Sequence, residues 1–180
     1  MKILIIIIIV LLSILVLLLF VGVFLKKEYI VAREVLVNKP KTTVFEYIKL
    51  LKNQNDFSVW ATMDHNMKKE FRGTDGTAGF VSAWESQVKN VGKGEQEILK
   101  VIEGEKVDYE IRFIKPFEST SFASMSALSV NENYTKVQWV FNGKMKYPMN
   151  LMLLFMNMEK MIGNDLEKGL QNLKIILEKQ

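Results

Sequence analysis

The sequence predicts an α+β fold: a curved antiparallel sheet of about seven strands around a long C-terminal helix. Two short helices follow the first strand, and a transmembrane helix stands in front. Three observations predict it. Residues 3–25 form an uncharged apolar run. Residues 68–141 largely alternate apolar and polar side chains between turn-forming clusters, the period of half-buried strands. From Met149 onward apolar residues recur at helical spacing. Helices and strands are therefore segregated along the chain, which is the α+β order.

The first run opens at Ile3 and closes at Leu25, with only Ser13 and Gly22 as interruptions, and is bracketed by Lys2 and by Lys26 with Lys27. Such a helix, rising ~1.5 Å per residue, is long enough for the ~30 Å hydrocarbon core of a bilayer. A secretory signal is the alternative, but the run is longer than such regions usually are and no small-x-small cleavage site follows. Residues 1–27 then form a single-pass anchor in the membrane, and 28–180 one domain. Counting Lys and Arg puts that domain on the cytoplasmic side. Single amino-terminal anchors often place it outside, so both sides stay open.

Residues 28–37 are rich in β-branched and aromatic side chains and read as the first strand, ended by Asn38-Lys39-Pro40. Val44, Phe45, Ile48 and Leu51 then have helical spacing, and a second short helical or irregular segment carries Phe57 and Trp60. Six strands follow, near 68–72, 80–88, 95–102, 107–113, 119–130 and 135–141. In the clearest of these, Val107, Tyr109, Ile111 and Phe113 face one way, as do Val137, Trp139 and Phe141. In 119–130 the predicted inner face is Phe122, Ser124, Ser126, Leu128 and Val130. Residues 148–180 read as one amphipathic helix, with Pro148 at its first position. Its first half is apolar almost all round, so it is expected to lie against the concave sheet.

Composition narrows the function. The net charge of +4 is mild, with Lys and Arg scattered among acids, which argues against nucleic-acid binding. The absence of cysteine excludes disulfides and thiolate zinc sites, and a single His excludes a His-rich metal site. No metal or cofactor is expected. Gly73, Gly76 and Gly79 lack the spacing and the Lys-Ser/Thr of a phosphate loop and read as a turn. Glu95 with Glu97, and Asp108 with Glu110, share strand faces opposite the apolar ones, so a solvated surface fits them better than acid–base chemistry. His65, in a polar loop beside Asp64, reads as exposed.

These features resemble the helix-grip fold of the START-like, or polyketide cyclase/dehydrase (SRPBCC), superfamily, and within it bacterial polyketide cyclase-like proteins. The resemblance is carried by Phe57-Ser58-Val59-Trp60, by Gly73-Thr74-Asp75-Gly76-Thr77-Ala78-Gly79 with Trp84, and by Val91-Gly92-Lys93-Gly94. Lys115-Pro116-Phe117, Gly143-Lys144-Met145, Tyr147-Pro148-Met149-Asn150 and Gly169-Leu170-Gln171-Asn172 extend it to the end of the chain. Where that pattern has Asp-Pro after the early Trp, this chain has Asp64-His65. The resemblance implies an apolar or amphipathic small molecule cradled between sheet and helix. It carries over no catalytic set.

The residues expected to bind such a ligand are Trp60, Trp84, Ile98, Tyr109, Phe113, Phe122 and Trp139, whose aromatic members combine an apolar body with, in Trp and Tyr, a polar edge. Met145, Met152, Phe155 and Met158 are expected to complete a pliable wall, since thioether chains adapt to variable shapes. Plain core filling is the alternative for both groups, and contact of the methionine-rich half-helix with the bilayer is a third. Functionally, a membrane-anchored binder of a small hydrophobic ligand leads. A cyclase, dehydratase or hydrolase using Tyr109, Ser124 or Ser126, and a tethered partner-binding module, are the alternatives.

Overall fold

A computed structural model describes residues 2–179. Helix α1 (Lys2–Phe24) leads into strand β1 (Glu28–Val37). Helix α2 (Lys41–Lys49), a 3-10 turn and two single-turn helices, α3 (Gln54–Phe57) and α4 (Val59–Thr62), follow. Strands β2 (Lys68–Arg72), β3 (Val81–Glu85), β4 (Lys93–Ile102), β5 (Lys106–Lys115), β6 (Ser119–Ser129) and β7 (Thr135–Lys144) form a meander, and α5 (Met158–Lys179) ends the described chain. The seven strands pair antiparallel in the order β1-β7-β6-β5-β4-β3-β2. The segment α2–α4 carries the chain from one edge of the sheet to the other. The predicted fold class is the one observed.

Helix α5 lies across the concave face with Leu166, Leu170, Leu173 and Leu177 buried, one residue per turn of the helix. Both ends are tied to the β1 region. Arg33 pairs with Glu159 at 2.6 Å, and the Asn38 N–H donates to Glu178 Oε1 at 2.8 Å. Gly163 and Gly169 bring the helix close, because a Cβ at either would meet Arg33 or Trp139.

Two expectations need correction. The final helix starts at Met158, not at Met149; Met149–Leu154 is a 3-10 turn. Asn157 sets the boundary, its Oδ1 accepting the Lys160 N–H at 2.9 Å as a helix cap. The apolar segment before it packs on the foot of α1, not on the sheet. Asn150, wholly buried, donates to the Gly22 carbonyl at 2.7 Å and more weakly to that of Leu25, two of the carbonyls a helix end leaves without partners. Leu151 covers Gly22, where an added Cβ would lie 3.0 Å from its Cγ.

The second correction concerns β6. Its concave face is Ser121, Ala123, Met125 and Ala127, and Phe122 points outward, 47% exposed. Helix α2 packs over this strand, and small side chains there make the room. Because strands alternate every residue, that need fixes the parity of the whole strand.

On the convex face Arg112 gathers Glu95, Glu97 and Glu110, with Arg72 also on Glu95. The paired acids thus form a solvated ion-pair network. The guanidiniums of Arg72, chiefly, and Arg112 hold the Glu95 carboxyl below its usual range. A depressed folded-state pKa stabilises above the unfolded value, ~4.3, and that contribution disappears as pH falls through the folded one. The urea-midpoint difference between wild type and Glu95→Gln is therefore expected to be small and constant near neutrality and to vanish in acid. A difference that grew below pH ~4 would contradict this ion-pair arrangement.

Candidate ligand cavity

A cavity of about 220 Å³ lies between the concave sheet and the helices. Trp84, Phe113, Trp139 and Phe141 form its sheet wall, Ile162 and Leu166 of α5 its roof, and Ser58, Trp60 and Ala61 its side. Gln54, Ser82 and Gln96 supply polar groups, and Lys69 on edge strand β2 is the ionisable residue of the lining. The arrangement is apolar with a few amides and hydroxyls, as small-molecule sites generally are.

Local structure explains how the tryptophans are held. Trp139 stands edge-on to Phe57 and Trp60, at 5.6 and 6.2 Å between ring centres, and rests on Gly169 of α5. The Trp84 indole N–H donates to the Val91 carbonyl at 3.2 Å and its ring meets Phe113 edge-on at 6.1 Å. Gly94, opposite Trp84, is required here: a Cβ would lie 2.6 Å from the indole. The chain's three tryptophans, Trp60, Trp84 and Trp139, therefore all line one cavity.

Of the predicted site residues, Trp60, Trp84, Phe113 and Trp139 are brought together. Ile98 and Tyr109 share the concave face but are buried in the core beside the cavity. Tyr109 donates to the Ile48 carbonyl at 3.3 Å, and burial pushes its phenol well above the usual range. It is thus held neutral and occupied in packing. Phe122 lies on the convex face, as do the half-buried Ser124 and Ser126. Met145, Met152, Phe155 and Met158 also fall outside the lining: Met145 follows β7, its N–H bonded to Lys27 O, and Phe155 is 79% exposed. His65 is exposed, and Asp64 is engaged by the Ser86 hydroxyl and the Asn66 N–H.

Ile111, Phe141, Ile162 and Leu166 also line the cavity; strand parity and helical spacing placed each on the apolar side without marking it as a site residue. Val91 and Gln54 had no such signal. Val91 reaches the cavity because the β3–β4 connection folds back, and Gln54 because α3 turns its amide toward Met125.

No family profile matches the sequence, and neither does any curated protein. Solved structures do match in shape. A Nitrosospira multiformis protein is 17% identical with a TM-score of 0.58, covering 83% of this chain and 96% of that one. Ara h 8.0201 is 10% identical with a TM-score of 0.63, covering 85% and 99%. Norcoclaurine synthase from Thalictrum flavum, in complex with dopamine and hydroxybenzaldehyde, is 11% identical with a TM-score of 0.59, covering 85% and 88%. At such identities the likeness is one of fold: the chain has the helix-grip fold, a curved antiparallel sheet around a long C-terminal helix, that these structures have.

Proposed function

We propose that this protein is a membrane-anchored binding domain that holds a small hydrophobic or amphipathic molecule, lipid-like or aromatic, between its sheet and α5. Residues 1–27 are the anchor and 28–180 the binding domain. The observation that carries this is the cavity itself, walled by every tryptophan in the chain and left open beneath a helix that could have filled it. At about 220 Å³ it exceeds the ~150 Å³ apolar cavity known to take benzene. It suits one or two rings, or the end of an alkyl chain. The helix-grip structure that holds dopamine and hydroxybenzaldehyde supports an aromatic guest. Helix α1 is long and apolar enough to span a bilayer, which supports the anchor.

Native mass spectrometry of the full chain released from detergent tests the binding. Wild type is expected to retain an apolar adduct that Ala61→Phe, which fills the cavity from α4, has lost. Equal adducts on both, or none on wild type even after incubation with hydroxybenzaldehyde or a medium-chain fatty acid, would refute the proposal.

A further inference from the structure

The sheet has two ends, and α1 joins only one of them. Three residues, Leu25 to Lys27, separate α1 from β1, a reach of ~10 Å when fully extended. Even that slack is taken up: the Met145 N–H donates to the Lys27 carbonyl at 2.8 Å, and Asn150 grips the foot of the helix. Given α1 as a membrane span, this end of the domain is held at the bilayer surface.

The same end collects other connections. β4 begins at Lys93 opposite Lys115, β6 begins at Ser119 opposite Phe113, and β7 ends at Lys144 opposite Glu28. The connections 86–92, 116–118 and 145–157 therefore all lie beside the linker. They expose Val88, Phe117, Tyr147, Met152, Leu154 and Phe155, with Phe117 at 68% and Phe155 at 79%. Lys26, Lys27, Lys89, Lys115, Lys146 and Lys160 stand exposed around them. The acids nearby are largely engaged, Glu28 by Lys144, Glu85 by Lys93, Glu159 by Arg33 and Asp64 by the Ser86 hydroxyl, leaving Glu118. At the far end the turns carry Glu103, Glu105 and Glu132 beside Lys39 and Lys106, with Glu103 paired to Lys49 and, among the described residues, no comparable cluster of exposed aromatic side chains.

Apolar and aromatic side chains ringed by lysines are what an anionic membrane–water interface accepts, with rings at headgroup level and ammonium groups reaching the phosphates. We propose that this end of the domain is a second membrane contact. Phe117 and the segment 147–155 insert into the interface of the leaflet that α1 leaves. The domain then sits on the membrane rather than swinging from it. Phe113, Val91 and Phe141, at this end of the cavity, face the side from which a bilayer-dissolved guest would arrive. The proposal rests on the anchor reading of α1, and its test separates the two.

The chain has no cysteine, so one introduced cysteine carries one nitroxide spin label. Full-length Phe155→Cys, Phe117→Cys, Glu132→Cys and Val16→Cys, reconstituted in phosphatidylcholine–phosphatidylglycerol vesicles, are compared by accessibility to oxygen and to a water-soluble nickel chelate. Oxygen is expected to prevail at positions 155, 117 and 16, and nickel at 132. Nickel prevailing at both 155 and 117 while oxygen prevails at 16 would overturn the second contact and leave the anchor standing. Nickel prevailing at 16 as well would overturn the anchor and the contact with it.

Discussion

Trp139→Ala is expected to destabilise the domain by about 3–5 kcal/mol, the usual cost of emptying a large buried aromatic site. Trp139 is 5% exposed, packs edge-on against Phe57 and Trp60, and supports α5 at Gly169, so its loss would remove contacts on three elements at once. Domains are stable by only ~5–15 kcal/mol, so this is a large share. Phe122→Ala is the control, because Phe122 stands on the convex face and its truncation should stay within ~0.5 kcal/mol. Urea unfolding of the full chain in mild detergent, followed by far-UV circular dichroism, reads both. A lower midpoint at unchanged slope for the first variant alone is the expected result. Equal effects would mean that Phe122 faces the core and that β6 has the opposite parity.

That contrast marks the limit of what the sequence discloses. Where burial is written in large apolar side chains, parity was legible: Tyr109, Ile111 and Phe113 on β5, and Val137, Trp139 and Phe141 on β7, face inward as their alternation requires. On β6 the rule inverts. Its inner face is Ser121, Ala123, Met125 and Ala127, three of the four small where α2 packs over the strand, and its outer face holds Phe122 and Leu128. A hydrophobicity pattern cannot see a helix packed across a strand 70 residues away in sequence. The final helix shows the same limit. Residues 149–156 leave the helical pattern because Leu151 and Asn150 meet the foot of α1, and the carbonyls of Gly22 and Leu25 are invisible in a periodicity. From Met158 on, where one face meets the sheet and the other water, spacing alone located Leu166, Leu170 and Leu173. For the cavity, the tryptophans were legible as amphipathic aromatics. The emptiness between them was not, since it depends on how far α5 stands off the sheet.

Filling that space is expected to abolish binding while sparing the fold. Ala61→Phe enters from α4 and Ser82→Phe from β3, so the two variants approach the cavity from different elements. In a close-packed core, added methylenes cost ~1–3 kcal/mol because neighbours must leave their rotamers. Here the ring has about 220 Å³ to enter, so the urea midpoint is expected to move less than that cost implies. A guest competes for the same volume, and its affinity should fall about tenfold or more, equivalent to ~1.4 kcal/mol. Intrinsic fluorescence is suited to the measurement, because Trp60, Trp84 and Trp139 all face the cavity and the chain has no other tryptophan. Saturable quenching by a small aromatic aldehyde is expected for wild type and not for either filled variant. If both filled variants folded and still bound as wild type does, the guest would have to lie elsewhere, and the space beneath α5 would be a packing defect rather than a site.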